Sequence, residues 1–145
     1  MVVQVIKAKD DKITTADLIA DLKKSNKIDY SGVIFTFEGM VRGKDENMHL
    51  EKLILSTPDV EKTVEEIGKI VDNTKIKYNV HEISVVHYIG EFYTGDTLFL
   101  VAVLGSHRNE TLEALKETIE NVKFNVEFKK EEISKEGRKT ILAGG

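Results

Sequence analysis

The stretch that decides the fold is LFLVAVL at residues 98–104, a run that is apolar at every position. A strand with one solvated face alternates apolar and polar residues, whereas a strand covered on both faces is a continuous apolar run. The run is also far shorter than the roughly 18–20 residues that a membrane-spanning helix needs. It therefore predicts a central strand, covered on both faces.

Outward from this run, the spacing of apolar residues switches several times between two and about 3.6 residues. Such switching is typical of a domain that mixes strands and helices. The two-residue spacing predicts further strands at residues 3–5, 30–41, 50–55 and 80–89, and again beyond residue 123. Because pairs of strands separate the predicted helices, we expect one α+β domain over residues 1–145, with a largely antiparallel mixed sheet and about three helices.

Three helices account for the 3.6-residue spacing. Thr14 and Thr15 cap the first, Thr57 is the predicted N-cap of the second with Pro58 at its first helical position, and the third follows residues 105–109. The apolar positions expected to face the core are Leu18, Ile19 and Leu22 in the first helix, Val60, Val64, Ile67 and Val71 in the second, and Leu112, Leu115, Ile119 and Val122 in the third.

The composition argues against several classes of function. The chain has 145 residues, a net charge of −4 and a pI of about 5.6, which argues against general binding to nucleic acid or to an anionic membrane. It contains no cysteine, so disulfides, thiolate nucleophiles and cysteine-based zinc sites are excluded. The first residues lack the basic and apolar regions of a secretory signal, so we expect a cytoplasmic location.

The histidines predict no metal site. His81 and His87 lie six residues apart in one predicted strand, where they could share a face but would be about 20 Å apart. His49 has no neighbouring metal-ligating residue at a useful spacing. We therefore expect neither a bound metal nor a cofactor.

Two arginine-containing segments are candidate anion sites. Arg42 lies between Gly39 and Gly43, where an apolar strand breaks, and glycines allow backbone to approach a ligand closely. A solvated arginine beside a turn is the alternative. His107 and Arg108 lie between the apolar run and the third helix, where free N–H groups and the helix dipole favour an anion. A capping loop with a surface arginine is the alternative there, but position and residue type together favour binding.

Two lysines are candidate proton-transfer groups. Lys123 lies near the end of the third helix, where interaction with the helix dipole is a sufficient structural role. Lys130 follows in a charged strand, and a solvated face is the simplest interpretation of both Lys129 and Lys130. Alternation nevertheless places Lys130 on the face of Phe128, so its stem is expected to lie along apolar surface. A partly desolvated lysine is suited to act as a general acid or base.

Four short motifs occur in order within residues 30–137. They are FEGMVR at residues 37–42, IGEFYTGD at 89–96, SHR at 106–108 and FKKE at 128–131. In order and spacing they resemble the large, catalytic subunit of molybdopterin synthase.

The chain departs from that family at two places. Glu127 and Lys129 stand where the family usually has a proline and a tryptophan before its second lysine. The family has an arginine further along that has no clear counterpart in this chain. Arg138 and Lys139 are the basic residues nearest to the place where it would stand.

The resemblance implies a function. The family takes sulfur from the thiocarboxylated C-terminal glycine of a small ubiquitin-like carrier and adds two sulfurs to cyclic pyranopterin monophosphate, which makes the dithiolene of molybdopterin. The resemblance implies that Arg42, His107 and Arg108 bind the anionic substrate and that Lys123 and Lys130 are catalytic. We therefore expect these residues to line a single pocket at the start of the third helix. It also implies a homodimer within a heterotetramer that contains the carrier. The lack of cysteine agrees with this, because the carrier delivers the sulfur.

Two questions stay open at the level of sequence. A non-catalytic protein that binds an anion or small molecule, or that assists assembly, could keep the same fold. The tail Leu142-Ala143-Gly144-Gly145 imitates the carrier's diglycine end. It either occupies a carrier or substrate channel of a neighbouring subunit or is held by a sheet edge or a crystal contact.

Overall fold

A computed structural model describes residues 2–10 and 12–142. Within these ranges the chain forms eight strands and three α-helices, with one 3-10 turn at Ile28–Tyr30. The strands are β1 Val3–Lys7, β2 Val33–Met40, β3 Lys44–Asp45, β4 Met48–Ser56, β5 Glu82–Phe92, β6 Thr97–Gly105, β7 Lys129–Ser134 and β8 Gly137–Ile141. The helices are α1 Thr15–Leu22, α2 Val60–Tyr78 and α3 Arg108–Asn125.

The strands form one mixed sheet in the order β2-β6-β5-β4-β7-β8. β1 pairs with β5 in parallel, and the other pairings are antiparallel, including that of β3 with β4. This arrangement confirms the predicted α+β class with a largely antiparallel sheet. Strands β3 and β8 were not predicted; β3 has two residues and lies between the strands predicted at residues 30–41 and 50–55.

The apolar run lies in β6, between β2 and β5. From Phe99 to Gly105 every residue is buried, whereas Leu98 at the start of the run is partly exposed. The prediction of a central strand covered on both faces is confirmed. This strand and its neighbours form the centre of the hydrophobic core.

Strand β5 changes partners along its length. Residues 82–87 pair with β6, and residues 90–92 pair with β4. The change occurs at Gly90, whose φ of +123° is a backbone conformation that other residues adopt only with strain. The glycine thereby allows one strand to join the two halves of the sheet.

The predicted start of α2 is wrong by two residues. Asp59 is the N-cap, and its carboxylate accepts a hydrogen bond from the backbone N–H of Lys62 at 3.2 Å. The Thr57 hydroxyl instead contacts the hydroxyl of Thr63 at 2.6 Å, and Pro58 lies outside the helix. By contrast, Thr14 caps α1 as predicted, in a reciprocal pair with Asp17.

The buried faces of α2 and α3 contain threonines that the apolar pattern omits. Val60 and Leu112, both predicted to face the core, are 39% and 41% exposed. The fully or nearly fully buried positions are Thr63, Ile67, Val71 and Thr74 in α2, and Thr111, Ala114, Leu115, Thr118 and Val122 in α3. Each buried threonine donates its hydroxyl to the carbonyl four residues earlier, so its burial leaves no unsatisfied polar group.

Across the described ranges, no helix combines the length and the apolar character that crossing a bilayer requires.

Candidate active site

Two adjoining cavities lie where the end of α3 meets the sheet. They share the lining residues Leu53, Leu98, Phe99, Lys123 and Lys130. The inner cavity has an apolar floor that also includes His87 and Phe128. The outer cavity adds Arg42. We call the two together the lysine pocket.

Arg42 is positioned by the residue before it. The backbone of Val41 is bonded on both sides to the turn between β5 and β6: its N–H donates to the carbonyl of Asp96 and its carbonyl accepts from the N–H of Gly95, each at 2.9 Å. A side chain at Gly43 would collide with the hydroxyl of Thr94, so only glycine lets the chain pass there. Arg42 is therefore held at the mouth of the pocket by a fixed backbone.

Lys123 reaches the pocket from the last turn of α3. Val122, just before it, is fully buried and holds this end of the helix against the sheet. Lys123 itself is exposed and lines both cavities. A cation is favoured at this end of a helix by the macrodipole, so the lysine is stable there without an acidic partner.

Lys130 reaches the pocket from β7, where it is paired with Leu55 of β4 on one side and Ile141 of β8 on the other. Its side chain is 22% exposed, against 51% for Lys129. Lys129 is bound to Glu131 at 3.2 Å on the opposite face. The contrast that strand alternation predicted between the two lysines is confirmed.

Burial lowers the pKa of Lys130 below its ordinary value. The carboxylate of Glu132, with an oxygen 3.9 Å from Lys130 Nζ, opposes this by stabilising the ammonium. The nearby cations Lys123, Lys139 and Arg42 lower the pKa further. On balance, the Lys130 ammonium releases its proton more readily than that of a fully solvated lysine.

Two charged residues of the cluster were not predicted as site residues. Glu132 follows Lys130 by two residues on the same face of β7, a spacing that could have revealed it. Lys139 lies on β8 opposite Glu132, and only the β7–β8 pairing brings it close. Lys139 and Arg138 are the two basic residues nearest to the place of the missing family arginine. Lys139 is close enough to the pocket to act on Lys130, whereas Arg138 is bound to Glu131.

His107 and Arg108 are not part of the lysine pocket of the same chain. His107 is the N-cap of α3, and Arg108 is its first residue. Arg108 and Lys123 are 15 positions apart on one helix, which separates them by about 22 Å along its axis. The expected single site at the start of the third helix is thus divided in one chain between the two ends of α3.

The start of α3 exposes His107 and Arg108 to solvent beside the carboxylate of Glu110. The side chain of His107 is 82% exposed, and its Nδ1 lies 3.3 Å from the carboxylate of Glu110. The same carboxylate accepts the backbone N–H of His107 at 2.8 Å and therefore occupies part of the helix N-terminus. Arg108 is exposed beside it.

His87 forms part of the floor of the pocket. Its ring is stacked between Phe99 and Phe128, at centroid distances of 5.0 and 4.1 Å. Its spacing in the sequence suggests only a possible metal ligand, whereas its aromatic surroundings are visible only in the structure. In the described ranges no group of three or more metal-ligating side chains occurs.

The fold and the pocket together define this as a protein that can bind an anionic ligand and transfer a proton. An α+β domain presents three cations over an apolar floor, and one of them is a lysine with a lowered pKa. Such a pocket can bind an anionic ligand and transfer a proton to or from it.

The chain belongs to the MoaE protein family, whose model matches residues 8–125. The molybdopterin synthase catalytic subunit of Dictyostelium discoideum is 30% identical over 137 residues, which cover 91% of this chain and 86% of that protein. The X-ray structure of molybdopterin synthase from Staphylococcus aureus matches with a TM-score of 0.81, at 25% identity over 95% of each chain. These findings confirm the family that the four sequence motifs indicated.

A structure of lower identity shares the fold. It is the protein–protein complex of subunits 1 and 2 of molybdopterin-converting factor from Helicobacter pylori 26695, with a TM-score of 0.69 and 21% identity. The match covers 93% of this chain and 86% of that one.

Proposed function

We propose that this chain is the catalytic subunit of a molybdopterin synthase. It transfers sulfur from the thiocarboxylated C-terminal glycine of a small ubiquitin-like carrier to cyclic pyranopterin monophosphate, and so forms the dithiolene of molybdopterin. The observation that carries the proposal is the half-buried Lys130, held with Lys123 and Arg42 over an apolar floor. Membership of the MoaE family supports the choice of substrate and carrier.

The three cations have different roles, which follow from their positions in the pocket. Arg42, at the mouth, binds the phosphate or the negative charge that develops during the reaction. Lys130 transfers protons, because burial lowers its pKa and so eases the release of its proton. Two roles stay open for Lys123: it either shares the proton transfer or holds the carbonyl of the carrier's tail.

Each sulfur transfer balances without a redox step. The thiocarboxylate sulfur forms a bond to a carbon of the pterin side chain, and an oxygen on that carbon leaves with a proton that Lys130 supplies. Water then adds to the acyl carbon of the carrier. The acyl carbon–sulfur bond breaks, the sulfur stays on the pterin as a thiolate, and the carrier leaves as a carboxylate. Of the two protons that the water releases, one returns to Lys130 and the other passes to solvent. The chain needs no thiol of its own for this sequence, in agreement with its lack of cysteine.

We also propose that the chain acts as a homodimer, with one carrier bound to each copy in a heterotetramer. Since about 22 Å of helix separates Arg108 from Lys123, His107 and Arg108 can serve the same pocket only from a second copy of the chain. On this proposal the α3 start of one protomer faces the lysine pocket of its partner, and both bind the anionic substrate. The structurally similar Helicobacter pylori protein forms a complex of subunits 1 and 2, which supports only the expectation that a second kind of subunit binds.

Two further expectations from the sequence stay predictions. Cell fractionation would check the cytoplasmic location. The diglycine Gly144-Gly145 lies outside the described residues. Deleting both residues and measuring affinity for the carrier tests whether the tail has a role in a carrier or substrate channel or is held only by a sheet edge or a crystal contact.

The proposed function is tested by reconstitution. The purified chain is incubated with thiocarboxylated carrier and cyclic pyranopterin monophosphate, and dithiolene product is measured. Product that depends on both the chain and the thiocarboxylate supports the proposal. If the chain binds the carrier and the pterin but forms no dithiolene, the non-catalytic alternative is correct.

A further inference from the structure

The floor of the lysine pocket contains one polar ring among apolar side chains. His87 is 7% exposed and is stacked almost parallel to Phe99 and Phe128, at interplanar angles of 17° and 20°. Two aromatic faces hold the ring, so its two nitrogens lie in a fixed plane. A phenylalanine would fill the same space, and the packing alone therefore gives no reason for a histidine.

The hydrogen bonding of His87 fixes its tautomer. Nδ1 lies 3.0 Å from the backbone carbonyl of Tyr88. A carbonyl can only accept, so Nδ1 carries the proton and Nε2 of the neutral ring has a free lone pair. Burial lowers the pKa of His87 to about 4, which keeps the ring neutral at physiological pH.

The free lone pair reaches the open pocket. None of the described residues forms a hydrogen bond with Nε2. In the same part of the chain, no fully shielded side-chain nitrogen or oxygen lacks a partner. Nε2 is therefore accessible, and the cavity that His87 lines is the one that contains Lys123 and Lys130.

We propose that His87 is a ligand-binding residue of the lysine pocket, whose Nε2 accepts a hydrogen bond from a neutral N–H or O–H group of the bound molecule. The cations Arg42, Lys123 and Lys130 can only donate hydrogen bonds, so they select an anionic group. His87 adds an acceptor at the floor, and the two lysines that line the same inner cavity, Lys123 and Lys130, disfavour a cationic donor there. The carboxylates Asp45 and Glu132 line the outer cavity. The pocket thus selects a ligand that is anionic at one end and carries a neutral donor at the other.

This inference rests on the proposed function, which supplies two ligands with such a donor. The backbone amides of the carrier's terminal glycines are neutral N–H groups beside a carboxylate or thiocarboxylate. The pterin carries ring N–H groups and a phosphate. The chemistry that His87 recognises is the same in both, and separate measurements distinguish the two sources.

Two substitutions at His87 separate ligand binding from packing. His87→Phe keeps a ring between Phe99 and Phe128 but removes the Nε2 acceptor and also the Nδ1–H bond to the Tyr88 carbonyl. His87→Gln loses the ring but keeps a carbonyl oxygen that can accept. A packing role predicts that His87→Phe is the better variant in both stability and binding. A ligand-binding role predicts that His87→Phe is at least as stable as His87→Gln but binds more weakly.

Two measurements are made on the full chain with each variant. The first is the Kd for the carrier in its carboxylate form, without pterin, by calorimetry. The second is the KM for cyclic pyranopterin monophosphate at saturating thiocarboxylated carrier. An unpaired buried donor costs about 1–3 kcal/mol, so we expect His87→Phe to raise one of these constants roughly 5- to 100-fold.

Each outcome decides the proposal. A rise in carrier Kd assigns the glycine amides as the donor, and a rise in KM alone assigns the pterin. If both constants stay within twofold of wild type in His87→Phe, the proposal is wrong while the proposed function stands. A wild-type chain that makes no dithiolene overturns the proposed function, and this inference with it.

A spectroscopic measurement on the wild-type chain covers the case in which the variants do not fold. With ¹⁵N-labelled histidine, the resonance of His87 Nε2 at pH 7 is expected to be that of an unprotonated nitrogen. It is expected to shift toward the hydrogen-bonded value when carrier or pterin is added. An Nε2 resonance that neither ligand moves would overturn the proposal.

Discussion

Replacement of Lys130 by methionine separates catalysis from stability at one residue. Methionine keeps an unbranched apolar stem along the pocket wall and removes the ammonium group. Because general acid–base groups usually contribute 10²–10⁴-fold, we expect product formation in single turnovers to fall by about that factor. Carrier binding is expected to change little, because Arg42 and Lys123 remain.

The same variant is expected to be at least as stable as the wild type at pH 7. Burial lowers the pKa of Lys130 in the folded chain, so the unfolded chain, with a value near 10.5, binds the proton more tightly. The charge therefore costs stability below the lowered pKa, and the cost disappears as the pH rises toward 10.5. Thermal melting of both proteins from pH 7 to 10.5 measures this difference, which should shrink with increasing pH.

Lys129→Met is the matched control, because it removes an ammonium group from the adjacent residue, which lies on the opposite face of β7. Its side chain is half exposed and bound to Glu131, so activity should stay within about twofold, as surface substitutions usually do. A Lys130 variant that keeps more than a tenth of wild-type product formation would refute the catalytic role. A clear loss of melting temperature in Lys130→Met at pH 7 would refute the reasoning about burial.

Three further experiments replace charged residues, two of them at the proposed site and one at the ion pair of His49 and Glu136. Glu132→Gln removes the carboxylate that supports the charged form of Lys130, so the limb of the pH–rate profile that reports Lys130 should move to lower pH; an unchanged limb would contradict the pairing. Mixing Arg108→Ala with Lys130→Ala should restore product. Each proposed site takes Arg108 from one protomer and Lys130 from the other, so a mixed dimer contains one site with neither substitution. If a verified mixed dimer of the two inactive variants stays inactive, a shared site is excluded. Hydrogen bonds from His49 lower the pKa of Glu136 to about 2, so the stability difference between wild type and Glu136→Gln should be present above pH 4.5 and disappear as the pH falls toward 2, as melting at each pH would show.

The sequence predicted the features that depend on near neighbours in the chain. Strand alternation distinguished Lys130 from Lys129, and the structure has the former half-buried and the latter exposed. The Thr14 cap of α1 was equally readable, because its partner Asp17 is three residues away. These features are local, so side-chain direction and spacing suffice to predict them.

The apolar pattern failed to predict the buried helix face where polar side chains form hydrogen bonds within their own helix. Thr111 and Thr118 are fully buried, whereas Leu112 is 41% exposed. A hydropathy pattern counts a threonine as polar, but its hydroxyl is bonded to its own helix and its methyl group packs as an apolar group. The orientation of α3 against the sheet then selects which stripe is buried.

What the sequence by itself determined is therefore the three helices and most of the strands, the central position of residues 98–104 and the cationic residues that resemble those of a known family. Only the tertiary structure decided which of those residues meet. Arg42 and Lys130 are 88 positions apart, yet strand pairing and the packing of α3 bring both to one pocket. Arg108 and Lys123 are 15 positions apart, yet a straight helix keeps them at its two ends. Distance along the chain says little about distance in space, because a rigid helix separates near neighbours while a sheet joins segments that are remote in sequence.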